Sequence, residues 1–207
     1  MTGEKKILPR DTGSLLTIQG ETVDLNKVKS SGVVYLLMDC SGSMAEGRKL
    51  QQAKEGLITF AVDAIAKGYL VGLIKFDTNA THISDPQKNI PALQSCINKM
   101  ISTGSTNMTE AIVMATRKLI RVSGIRIMLI ATDGYPNCQD SAIRAANNAK
   151  GMDIEIRTVG TDNADKSFLQ KIATRNDLAL KVPEKEFGKA ISSMADSLKA
   201  LPSGKKD

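Results

Sequence analysis

The sequence predicts an α/β fold: a doubly wound, mostly parallel sheet with helices on both faces and a short antiparallel strand at one edge. Three observations lead there. Val33 to Met38 (VVYLLM) and Ile125 to Ala131 (IRIMLIA) are apolar runs of strand length, the pattern of central strands buried on both faces. Segments with apolar residues at helical spacing alternate with such runs along the chain, which favours parallel strands joined by helical crossovers. The 207 residues, 42% hydrophobic and 24% charged, suffice for one large domain with its own core, and no linker divides them.

Taken in order, Val33 to Met38 is followed by the polar loop Asp39 to Ser43, and Gly47 to Lys67 then carries Leu50, Ala53, Leu57, Phe60, Ala61, Ala64 and Ile65 on a helical stripe. Tyr69 to Phe76 (YLVGLIKF) reads as a second strand, and Asp77, Thr78 and Asn79 turn it into a short edge strand near Thr81 to Ile83. Pro91 opens a helix to about Met100. After the polar segment Ser102 to Asn107, Asn107 and Glu110 form a capping pair for a helix from Met108 to Val122. Beyond the strand at Ile125, Gln139 to Lys150 is helical, Asp153 to Val159 a strand, Lys166 to Thr174 a helix, Leu178 to Val182 a strand and Phe187 to Leu201 a closing helix. Residues 1–30 read as an N-terminal extension in which Leu15 to Gln19 (LLTIQ) adds a strand or clasp at the sheet edge. Residues 31–202 form the domain, and 203–207 a solvated tail.

Composition narrows the function. Lys and Arg number 28 against 22 Asp and Glu, a formal net charge of +6, but 12 basic residues precede Gly104 and 16 follow it, so neither half is a basic tail. Only 3% of residues are aromatic and Trp is absent, which removes the usual platforms for stacking single-stranded nucleic acid. Arg117, Lys118, Arg121 and Arg126 read as a solvated face near a helix C-terminus rather than a nucleic-acid patch. No apolar run reaches the roughly 18 residues of a membrane-spanning helix, and Met1 to Arg10 is charged. Cys40, Cys96 and Cys138 lack metal or disulfide spacing and are expected to be small buried side chains in a reduced, cytoplasmic protein.

In an open doubly wound sheet, ligands bind beyond the carboxyl ends of the strands where the winding reverses. If the strands from Val33 and Ile125 flank that point, Asp39 and Asp133 end side by side, and a cation would relieve their repulsion. Ser41, Ser43 and Thr106 offer hydroxyl oxygens on the same rim. These five hard oxygen donors favour Mg²⁺, Mn²⁺ or Ca²⁺ over zinc. In the DxSGS spacing, Asp39, Ser41 and Ser43 turn alternate side chains to one point while Gly42 lets the backbone bend. An octahedral ion held this way keeps a position for an Asp or Glu of a partner.

Asp39-Cys40-Ser41-Gly42-Ser43, Gly104-Ser105-Thr106-Asn107 and Thr132-Asp133-Gly134 together resemble the three parts of the metal-ion-dependent adhesion site of von Willebrand factor type A domains. The resemblance covers Val33 to Leu201. It implies a six-stranded sheet and a Mg²⁺ held by Asp39, Ser41, Ser43, Thr106 and Asp133, the last often through water. It also implies a protein partner whose acidic side chain completes the ion's sphere, and no catalysis. Met44, Thr78, Ser105, Asn107, Gly134 and Tyr135 are expected on the partner-binding rim. Intracellular members of the family often serve as adaptors for AAA+ ATPases, chelatases or multiprotein signalling and stress systems. One departure stands out: Ser105 replaces a second Gly common in the middle motif.

Other readings fit less well. Arg48 and Lys49 stand where a phosphate loop needs Lys and Ser/Thr, and Ser41 lacks a GxSxG elbow. The single histidine, His82, falls on the edge hairpin as an exposed residue. A metal-dependent hydrolase or phosphoryl-transfer enzyme would need a general base near the site, and a nucleic-acid-binding protein would have to rely on the basic excess alone.

Overall fold

The computed structural model describes residues 15–18, 21–24, 32–161 and 163–202. Strands β1 (Leu15–Ile18) and β2 (Glu21–Asp24) pair antiparallel as a two-stranded sheet of their own. The expected clasp near Leu15 is thus a ribbon with Glu21–Asp24, and among the described residues neither strand hydrogen-bonds to the main sheet. The rest of 1–30 apart from these strands, and the expected tail at 203–207, lie outside the described residues.

The main sheet has six strands: β3 (Val33–Asp39), β4 (Leu70–Phe76), β5 (Ala80–Gln87), β6 (Arg126–Thr132), β7 (Glu155–Thr161) and β8 (Ala179–Val182), in the order β5-β4-β3-β6-β7-β8. All neighbours are parallel except β4 and β5. The winding reverses between β3 and β6, as the α/β reading requires. The edge strand β5 is longer than the sequence suggests because its register against β4 shifts twice, between Val71 and Leu73 and between Leu73 and Ile74. Pro86, which cannot donate to a ladder, is tolerated on this outer edge.

Alternate residues of the central strands enter two cores. Val34, Leu36, Met38, Leu129 and Ala131 face α1 (Lys49–Ala66), α2 (Ile90–Asn98) and α6 (Phe187–Ser193). Tyr35, Leu37, Met128 and Ile130 face α3 (Met108–Leu119), α4 (Gln139–Gly151) and α5 (Lys166–Ile172). Leu36 and Leu37 are wholly buried on opposite faces, and each such side chain contributes about 1.5–3 kcal/mol. Across the sheet from Tyr35 lies Gly72, where a Cβ would sit 2.5 Å from the Tyr35 ring. The glycine makes room for the aromatic side chain.

Helix ends follow local chemistry. Asn89 accepts from the Ala92 N–H at 3.1 Å with Pro91 in the first turn of α2, and Asn107 accepts from the Glu110 N–H at 3.3 Å, the expected capping pair. Asp165 caps α5 through the Ser167 N–H at 2.8 Å. Helix α3 ends at Leu119 rather than Val122 and α5 at Ile172 rather than Thr174, and two further differences have a visible cause. A 3-10 turn, Gly42–Ala45, and Gly47 at φ 57° precede α1, so it begins at Lys49 rather than Gly47. The closing helix ends at Ser193 and not Leu201, because the buried Arg157 of β7 takes the Met194 carbonyl and the Ser197 hydroxyl and turns the chain.

Candidate metal centre

Met38 pairs with Ala131, so the ends of β3 and β6 bring Asp39 level with Thr132 and put Asp133 one residue further on. Both aspartates are wholly buried. Asp39 accepts from the Ser41 N–H at 2.8 Å through Oδ1 and from the Thr132 hydroxyl at 2.6 Å through Oδ2. Asp133 accepts from the Ser43 hydroxyl at 2.8 Å through Oδ1 and from the Lys49 ammonium at 3.0 Å through Oδ2. The Ser41 and Ser43 hydroxyl oxygens lie 3.2 Å apart and connect the two halves. Burial pushes the Asp39 carboxyl up from 3.8 to about 6; the Thr132 and Ser41 hydrogen bonds oppose the rise, and the charge of Asp133 adds to it.

The surrounding loops are fastened to one another mainly by backbone. The Gly42 N–H donates to the Gly104 carbonyl at 3.0 Å, and the Thr103 N–H to the Cys40 carbonyl at 2.7 Å. Gly104 has φ 71°, and a Cβ there would strike the Thr78 hydroxyl, so a glycine suits the position twice over. Thr106 is buried and held from both sides: its N–H donates to Asn137 Oδ1 at 3.0 Å and its carbonyl accepts from the Asn137 N–H at 2.9 Å. Its hydroxyl makes no hydrogen bond among the described residues. Asn107 donates to the Thr78 carbonyl at 3.2 Å, and the Ser105 N–H to the Thr78 hydroxyl at 3.2 Å.

Of the five expected ligands, Asp39, Ser41, Ser43 and Asp133 form one hydrogen-bonded network, and Thr106 joins the rim through its backbone. Of the expected rim, Thr78, Ser105 and Tyr135 are exposed, while Asn107 and Gly134 are partly so. Met44 is a correction: it is wholly buried in the core beneath the loop and has no exposed surface for a partner. His82 is half-buried, its Nε2 3.3 Å from the Tyr35 hydroxyl and 3.4 Å from an Asp85 carboxylate oxygen. Only Cys40 is the buried thiol expected of all three cysteines; Cys96 is intermediate and Cys138 exposed.

Sequence reasoning missed Lys49 as part of this centre, and it named Thr132 only within the third motif, without its hydrogen bond to Asp39. Lys49 left a signal, standing four residues before Ala53 and eight before Leu57 on the buried stripe of α1. Among the described residues no three His, Cys, Asp or Glu side chains gather as a metal-holding group. The donor set is two carboxylates and hydroxyls, which fits a hard, oxygen-seeking cation. The Thr106 hydroxyl, which makes no hydrogen bond among the described residues, is a donor of the same kind.

The sequence profile of the von Willebrand factor type A domain matches residues 34–196. The chain belongs to this family. A UPF0353 protein of Mycolicibacterium paratuberculosis (strain ATCC BAA-968 / K-10) is 29% identical over 160 residues, covering 68% of this chain and 47% of that protein. Among solved structures, the pilus adhesin SpaC from Lactobacillus rhamnosus GG has TM-score 0.70 at 14% identity, covering 81% of this chain and 30% of that one. Proximal thread matrix protein 1 from the mussel byssus, solved with a zinc-occupied metal-ion-dependent adhesion site, has TM-score 0.71 at 16% identity, covering 85% and 49%. This type A chain therefore spans less than half the length of each. Type A domains generally mediate protein–protein interaction or adhesion, and commonly bind a divalent metal. No helix among the described residues is long and apolar enough to cross a membrane.

Proposed function

We propose that the chain is a divalent-cation-dependent protein-binding domain. Asp39, Ser41, Ser43, Thr106 and Asp133 would hold Mg²⁺, with Mn²⁺ or Ca²⁺ as substitutes, and an Asp or Glu of the partner would complete the coordination. The observation that carries this reading is the burial of two carboxylates on one hydroxyl network at the point where the sheet's winding reverses. Lys49 offsets only one of these two buried like charges, and a bound cation supplies the remaining counter-charge. When present, the ion contributes Lewis acidity toward an anionic oxygen; the chain itself fixes the donors and presents Thr78, Ser105 and Tyr135 around them.

Binding rather than catalysis fits the site's surroundings. The single histidine is engaged with Tyr35 and Asp85 on the edge strand and is not among the groups around Asp39 and Asp133. An adaptor role in a cytoplasmic multiprotein or AAA+ ATPase-linked assembly belongs to the same proposal, and the three free cysteines favour a reducing compartment. The test is capture of partners from native extract by wild type and Asp39→Ala, each with Mg²⁺ and with EDTA. Partners held by wild type in Mg²⁺ and released by either change support the reading. Identical partner sets in all four arms would overturn it.

A further inference from the structure

Lys49 is the charged group that the proposed site does not use. Its residue is 3% exposed, and its ammonium lies 3.0 Å from Asp133 Oδ2, 3.2 Å from Glu46 Oε2 and 3.4 Å from the Ser43 carbonyl. Burial works against its charge, but the Asp133 and Glu46 carboxylates outweigh burial and hold its pKa above the ordinary value. Glu46 is 71% exposed in its side chain and screened by water, whereas Asp133 is wholly buried. Lys49 therefore acts chiefly on Asp133. It occupies one carboxylate oxygen and leaves the other, Oδ1, on the Ser43 hydroxyl that faces the rest of the donor set.

We propose that Lys49 is a positioning residue and internal counter-ion that makes cation binding at this site depend on an anionic ligand. This role of Lys49 rests on the metal reading above and on charge. Asp39 and Asp133 bring −2 and Lys49 brings +1, so the buried groups sum to −1. A divalent cation takes the site to +1, and one carboxylate from a partner takes it to zero. Without Lys49 the same cation would already neutralise the pair, and the partner's carboxylate would leave an excess negative charge. In a poorly solvated site such a charge difference is felt strongly. By linkage, Lys49 weakens binding of the cation alone and strengthens binding of the carboxylate to the cation-loaded site.

The test uses the full chain, Mn²⁺ as cation and acetate as carboxylate, with chloride as the control at matched ionic strength. Free Mn²⁺ is followed by electron paramagnetic resonance. Wild type is expected to bind Mn²⁺ more tightly in acetate than in chloride. Lys49→Gln, which keeps a hydrogen-bond donor without the charge, should bind Mn²⁺ in chloride at least about tenfold more tightly than wild type and lose the gain from acetate. Lys49→Arg should retain the wild-type coupling, which a purely structural role of Lys49 would not require. Because Asp133 loses its partner, the rise in Tm on adding Mn²⁺ should also be larger in Lys49→Gln and in Lys49→Met than in wild type. Mn²⁺ binding in Lys49→Gln that is no tighter than wild type, with unchanged acetate coupling, overturns the role of Lys49 and leaves the metal reading standing. Absence of Mn²⁺ binding in folded wild type and variants alike overturns both.

Discussion

Asp39→Asn tests the electrostatics of the centre most directly, because it removes one buried charge while keeping the side chain's shape. The Ser41 N–H can still donate to the amide oxygen. The Thr132 hydroxyl, which now donates to Asp39 at 2.6 Å, can rotate to accept from the new NH₂ and donate to the Gly134 carbonyl at 3.4 Å. The folded Asp39 carboxyl has a pKa of about 6 against an ordinary 3.8. Between those values the folded state keeps a proton that the unfolded state has lost. Stability from this group therefore falls as pH rises through the window, and the penalty is complete above about pH 6. At 1.36 kcal/mol per pKa unit it amounts to about 3 kcal/mol. In EDTA at neutral pH, Asp39→Asn should then be more stable than wild type by up to that amount, a rise in Tm of about 6–12 °C for a chain of this size. The assay is thermal and urea unfolding of both proteins in EDTA from pH 4 to pH 7.5. Their difference isolates Asp39 from Asp77 and Asp85, whose lowered pKa values act with the opposite sign. Adding Mg²⁺ should stabilise wild type only, by about 2.7 kcal/mol at a hundredfold excess over Kd. A variant no more stable than wild type in EDTA, or a difference that does not change with pH, would refute the reasoning.

Three further outcomes follow from the packing. Met44→Ala should lower stability by about 2–5 kcal/mol in urea unfolding, since the side chain is wholly buried and leaves a cavity. Gly72→Ala should cost about 1–3 kcal/mol in the same measurement, because the added methyl meets the Tyr35 ring in the middle of the sheet. A thiol reagent should label Cys138 well before Cys40, as followed by mass spectrometry: the Ser141 hydrogen bond holds the exposed Cys138 thiol below its ordinary pKa, whereas burial raises that of Cys40 to about 12.

The parts legible in the sequence were those encoded by local pattern. Val33–Asp39 and Arg126–Thr132 announce themselves because strands buried on both faces need unbroken apolar residues, and their ends place Asp39 and Asp133. Asn107 and Glu110 announce a helix start three residues apart. What escaped depends on contacts distant in sequence. Met44 stands in a polar loop, yet a 3-10 turn swings it into the core. Lys49 reads as a surface charge until Asp133, 84 residues away, is folded against it. His82 reads as exposed until the Tyr35 hydroxyl, reaching from β3 two strands away, is found beside it.

The closing helix illustrates the same limit and can be tested. Its apolar spacing continues to Leu198 and Leu201, both packed in or against the core, so periodicity alone predicts an unbroken helix. The break comes from β7, where Arg157 pairs with Glu155 at 2.7 Å and donates to the Met194 carbonyl and, at 2.7 Å, to the Ser197 hydroxyl. Lys67 adds hydrogen bonds to the Ala195 and Asp196 carbonyls at 2.7 and 3.0 Å, and Tyr69 one to that of Lys199 at 3.1 Å. These donors satisfy carbonyls that a continuing helix would have satisfied itself. Arg157→Met keeps the length of the buried stem but strips Met194 and Glu155 of their partner. Removing one member of a buried pair costs about 3–5 kcal/mol, and the partial exposure of Glu155 places this case at the lower end. The loss should be local first: limited proteolysis ought to cut between Met194 and Pro202 faster in the variant than in wild type, at a temperature where both remain folded. Equal cleavage with a stability change below about 1 kcal/mol would mean that apolar packing of Leu198 and Leu201, and not Arg157, ends the helix.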